Sequence, residues 1–199
     1  MALAPMRFLV RLENKRKYSP ADRESLVAHA YQVVRVFRGD VGNLRVSSSA
    51  VEFDLIVDSE SNAHRAVNAL ESHLGALLTL RKLDVEAPTI ENAQAIKLGI
   101  ELFNEERYWE SHEALEFAWR RTEGQEKEIL QALILIAAAF VHLQKDESDV
   151  ALSVLKRAYD RLGHRSGSHF GIDVETLEEK VGRMLSAGRP YFFKIETTK

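Results

Sequence analysis

Met6, Phe8, Val10 and Leu12 alternate with Arg7, Arg11 and Glu13 along Met6–Glu13, a period of two that predicts a strand with one buried face. Ser19 followed by Pro20, with Asp22 and Glu24 in the next turn, predicts a helix start: a hydroxyl cap, a proline where no N–H is needed, and acids at the positive end of the dipole. That helix extends to about Phe37 and stops at Arg38-Gly39-Asp40. Leu44–Ser48 and Val51–Asp58 read as two strands joined tightly in a hairpin. Ser59–Gly75 has helical spacing in Ala63, Val67, Leu70 and Leu74, and Leu77–Glu86 reads as a last strand. The order β-α-β-β-α-β is that of a ferredoxin-like split sandwich.

Beyond Pro88 the period becomes 3.6 and stays there, predicting helices at about 89–105, 107–122, 125–144, 147–163 and 173–187. The expected architecture is α+β in two domains: residues 1–87, ferredoxin-like, and residues 88–199, an all-α five-helix bundle. Ile129–Leu143 is apolar nearly all round, which predicts a central, enclosed helix. The tail Arg189–Ile195, with Tyr191, Phe192 and Phe193, is too apolar to be left in water and is expected to pack back on the protein.

Composition narrows the chemistry. The 199 residues are 45% hydrophobic and 29% charged, with a net charge of −3, as in an ordinary globular protein. With no cysteine, the chain has no disulfide, no thiolate nucleophile and no Cys-ligated zinc. No apolar run reaches the roughly 20 residues of a membrane span, and the N-terminus lacks a signal-peptide layout, so a cytoplasmic protein is expected.

RNA binding through the first domain is the weaker expectation. Sheets of this topology stack bases on exposed aromatics. Here Phe53 falls on the inward side of its strand while Glu52, Asp54 and Asp58 fall on the other. In the usual strand order Arg7 and Arg11 would lie beside Glu52 and Asp54, and cross-strand ion pairs would account for that face. The apolar Leu9 and Ile56 there would mark either a contact with a second copy or a seat for the bundle. His29, His64 and His73 are expected at the surface of this domain's helices. Lys15-Arg16-Lys17 reads as a solvated turn, and His164–Gly171 as a polar connector between helices.

The informative stretch is Tyr108–Trp119. At ~100° per residue, Trp109, His112, Glu116 and Trp119 share an arc of roughly 80°. The two tryptophans suggest that this arc faces the core, carrying His112 and Glu116 inward with Glu113 at its edge. Gln131 and His142, eleven residues apart, share a face of the central helix with Ala138 between them.

The run Leu102-Phe103-Asn104, then Tyr108-Trp109-Glu110-Ser111-His112-Glu113-Ala114-Leu115-Glu116 and Trp119, followed by Leu130–Ile134, Ala137–Ala139 and His142, resembles the helical domain-of-unknown-function family number 309. Its motif is Trp-Glu-x-His-Glu-x-x-Glu with a downstream Gln, an alanine cluster and a His. The resemblance implies a small all-α bundle and no particular activity, and it says nothing of residues 1–87.

Three functions are open for the stripe. His112, Glu116 and His142 supply nitrogen and oxygen ligands suited to Zn, Mn or Fe. Against this, an antiparallel register through Glu123-Gly124 sets Glu116 opposite Gln131 and leaves His112 and His142 ~10 Å apart along the axis. Alternatively, His112 held by Glu116, with Glu113 as acid, would suit a metal-free hydrolase. The leading expectation is a ligand-binding or protein-interaction module, its partner a small molecule or a protein (a second copy included). Glu116 would then accept from Gln131, His112 and a tryptophan indole in a buried network fixing helix register, with Trp109, Trp119, Gln131 and His142 as the binding residues.

Overall fold

The computed structural model describes residues 5–83, 90–163 and 165–197. The chain divides into two compact units, Met1–Pro88 with Gln144–Asp146, and Thr89–Leu143 with Glu147–Lys199.

The first unit carries β1 (Met6–Glu13), α1 (Arg23–Val34), β2 (Asp40–Val46), β3 (Ala50–Val57), α2 (Glu60–Glu71) and β4 (Leu77–Lys82). The four strands form one antiparallel sheet in the order β2-β3-β1-β4. Its register follows the alternation in the sequence. Val10 lies opposite Phe53 and Leu12 opposite Val51, so one face is apolar throughout and packs with Leu26, Ala30, Val34, Val67 and Leu70 of the two helices. The entry to α1 is a single 3-10 turn, Pro20–Asp22, where the Asp22 carboxylate accepts from the Ser19 N–H at 2.7 Å and the Ser19 hydroxyl at 2.9 Å. At α2 the Ser59 hydroxyl accepts from the Asn62 N–H. The residues 84–86 expected to extend β4 lie outside the described residues, as does His164.

The opposite face of the sheet holds the expected cross-strand ion pairs. Arg7 meets Asp54, Arg11 meets Glu52 at 3.1 Å, and the buried Arg45 of β2 meets Glu52 at 2.6 Å. Asn43 adds a hydrogen bond to Asp54 at 2.7 Å. Leu9 is buried and Ile56 half-buried. His29, His64 and His73 are exposed.

The described residues of the second unit carry the helices α3 (Asn92–Asn104), α4 (Tyr108–Trp119), α5 (Gly124–Gln144), α6 (Ser148–Leu162) and α7 (Val174–Ala187). From Ile129 to Leu143, α5 is buried on nearly every side, and its residues make up much of the unit's core. Among the described residues no helix is long and apolar enough to cross a membrane.

The connector read as a polar loop contains a hairpin, β5 (Ser168–His169) and β6 (Ile172–Asp173), closed by the two residues Phe170 and Gly171. Both have positive φ, 56° and 73°, the geometry that matches the twist of flanking strands. A phenylalanine at the first turn position hid the signal, because Asn-Gly is the pair that normally announces such a turn.

The apolar tail packs on its own unit. Phe192 stacks on Tyr108 with ring centres 5.7 Å apart, and Phe193 lies 5.1 Å from Phe140. The Asn104 amide closes the seam: it donates to the Ile195 carbonyl at 2.9 Å and accepts from the Ile195 N–H at 2.8 Å. It thereby serves the main chain as a neighbouring strand would.

Candidate functional site

The buried positions of α4 are Tyr108, Ser111, Leu115 and Ala118. This is the expected arc displaced by one residue, or ~100°, and the cause lies on α3. A Cβ added at Gly99 would sit 2.6 Å from the Leu115 Cγ, so the two helices touch where α3 has no side chain. The fully buried Ser111 hydroxyl donates to the Gly99 carbonyl at 2.7 Å. A seam this close accepts serine and leucine and has no room for an indole. Trp109 is therefore 37% exposed, and Trp119 lies half-buried at the margin with the Lys127 ammonium 4.7 Å from its ring centre.

The other candidate residues disperse accordingly. Glu116 is half-exposed and pairs with Arg120 at 2.8 Å, not with Gln131. Glu113 is exposed. Gln131, Ala138 and His142 line a half-buried strip of α5, where His142 Nδ1 lies 2.6 Å from Glu147 Oε2. Among the described residues no three His, Asp or Glu side chains come together as a ligand set. His112, Glu116 and His142, the ligands of the metal alternative that the helix register already disfavoured, form no such set. The buried network around Glu116 is corrected, since its carboxylate faces outward to an arginine one turn on.

His112 keeps an unusual setting. Its ring stacks parallel to Trp109, 5.7 Å between centres, and its Nδ1 is buried with no hydrogen-bond partner. Burial pushes its pKa below the ordinary imidazole range, against a smaller opposing pull from the Glu116 charge. The unfolded chain therefore binds this proton first as pH falls, so stability declines as the pH drops below about 6.5 toward the lowered folded value. An NMR titration should give His112 a midpoint below the ordinary imidazole value, and His112→Gln should flatten the fall in melting temperature over that interval. A midpoint at the ordinary value would show the ring to be solvated.

A groove that sequence reasoning missed lies elsewhere in the helical unit. It encloses about 590 Å³ between α3, the start of α5 and the β5–β6 turn. Its apolar lining comes from Ala93, Ile96, Ile100 and Phe170. Asn92, Asn104, Thr122, Thr197, Lys97, Glu101 and Glu126 supply the polar part. Phe170 takes its place in a left-handed backbone conformation, which costs a non-glycine residue roughly 1 kcal/mol. Asn92 Oδ1 is buried without a hydrogen-bond partner. The only trace in the sequence was the amphipathic spacing of Ile96 and Ile100. The rest comes from segments distant along the chain.

The protein is an α+β chain whose second unit is built of helices. Residues 96–154 match the model of the family described as Domain of unknown function (DUF309), from Ile96 in α3 to the middle of α6. The segment that carries the resemblance in the sequence is thus matched. No curated protein matches the chain.

Proposed function

We propose that the helical unit is a binding module for an organic small molecule, seated in the groove beside α3. One observation carries this reading: a groove of about 590 Å³ joins an apolar lining to a few polar groups. That size and that mixture are usual for small-molecule sites. Phe170, held in a strained backbone, supports it further, because such strain collects at ligand-binding positions. We read the first unit as ferredoxin-like, on its element order and strand order, and the protein as cytoplasmic, which the absence of cysteine favours.

The test is a fragment screen of the full chain followed by protein NMR. Hits should perturb Ile96, Ile100 and Phe170, and Ala93→Trp at the exposed rim should remove them while leaving the melting temperature unchanged. Hits that scatter over the surface, or that survive Ala93→Trp, would overturn the reading.

A second reading, hydrolysis with His112 as proton acceptor, is favoured by its partnerless Nδ1 and neutral ring. It has less support, because Glu116 is held by Arg120 and Glu113 is exposed.

A further inference from the structure

We infer that the groove takes an organic cation, an amine with an apolar body, and this rests on the small-molecule reading above. The argument concerns the direction of its polar groups. The Asn92 amide nitrogen donates to Thr122 Oγ1 at 3.2 Å and to the Ala118 carbonyl at 3.4 Å, and the Thr122 hydroxyl donates to that same carbonyl at 2.9 Å. Turning the amide over would set its oxygen against the Ala118 carbonyl and against a hydroxyl whose proton is already committed. The oxygen is therefore locked in the other direction, buried and without a donor. An uncompensated acceptor makes its surroundings negative, and this one, closed to solvent, acts on the groove through its dipole and not by a direct hydrogen bond.

The rim has the same polarity. Glu101 and Glu126 face one cation, Lys97, whose ammonium stands 3.9 Å from Glu101 with both side chains mostly exposed. Among the described lining residues one negative charge is left over at the mouth. Among the apolar residues, Phe170 offers an aromatic ring, whose face attracts cations and repels anions. Asn104, also in the lining, is held by Ile195 through one N–H and its oxygen, which fixes the amide, and it carries no net charge. A carboxylate or phosphate would meet an excess of negative charge at the rim; an ammonium carried on an aliphatic or aromatic body meets complementary charge and an apolar wall.

The experiment uses three probes of one length on the full chain at low salt: octylammonium, octanol and octanoate, each titrated calorimetrically and mapped by NMR. Octylammonium should bind at Ile96, Ile100 and Phe170 roughly tenfold tighter than octanol, with octanoate weakest. In the double variant Glu101→Gln and Glu126→Gln, two exposed positions, octylammonium should lose its advantage while octanol binds as before. Octanol equal to octylammonium in the wild-type chain, or octanoate tightest, would overturn the cation while leaving the groove as a binding site. Failure of all three would remove the binding site itself.

Discussion

Phe140→Ala should destabilise the helical unit by about 3–5 kcal/mol, the range for removing a buried ring that its neighbours cannot refill. Phe140 is fully buried on α5 and lies 5.2 Å from Phe103, 5.1 Å from Tyr108, 5.6 Å from Phe192 and 5.1 Å from Phe193, centre to centre. Several of these contacts are edge-to-face, an arrangement that adds to simple burial. Alanine there would leave a cavity touched by α3, α4 and the tail at once. Denaturant unfolding followed by circular dichroism measures the loss, and Trp109→Ala on the neighbouring α4 is the control. That exposed residue should cost far less. A loss below 1 kcal/mol at Phe140, or equal losses at the two sites, would contradict the packing described.

Gly99→Val should cost about 3 kcal/mol or more and lower the melting temperature by roughly 10 °C. A Cβ at this position already lies 2.6 Å from Leu115 Cγ and 2.7 Å from its Cδ2, so valine forces α3 and α4 apart. Separation breaks the Ser111–Gly99 hydrogen bond and leaves a buried hydroxyl and carbonyl unpaired, a penalty of about 1–3 kcal/mol that the better helix propensity of valine only partly offsets. Leu115→Ala should relieve the clash. In a double-mutant cycle the pair should therefore cost less than the sum of its parts. Strict additivity would mean that the two residues do not meet.

The strands were readable in the sequence because a sheet side chain has only two directions, and alternation states which of them is buried. Facing arrays such as Val10 with Phe53 then fix the register. Helix extents were readable from caps and breaks. The face of α4 was not. Tyr108, Trp109, Ala114, Leu115, Phe117, Ala118 and Trp119 put apolar groups on most sides of it, so the wheel allowed two adjacent arcs, and residue size favoured the tryptophans. What decided the matter was a glycine on another helix, which selects small or slender partners across a close crossing. The groove escaped for a related reason. Asn92 is the first residue of a helix, Glu126 the third of another and Phe170 half of a turn, and no periodicity links them.

Asn104, Phe103, Tyr108 and Phe140 all lie inside the matched span 96–154, whereas the residues that answer them, Phe192, Phe193 and Ile195, lie about forty positions past its end. The segment that matches the family model is therefore shorter than the segment that packs together. Cut at the family's limits, the polypeptide would carry an open aromatic seam and an amide with nothing to grip, and it would be prone to pair with copies of itself. Resemblance and cooperativity draw different borders on this chain, and the second border takes in the tail.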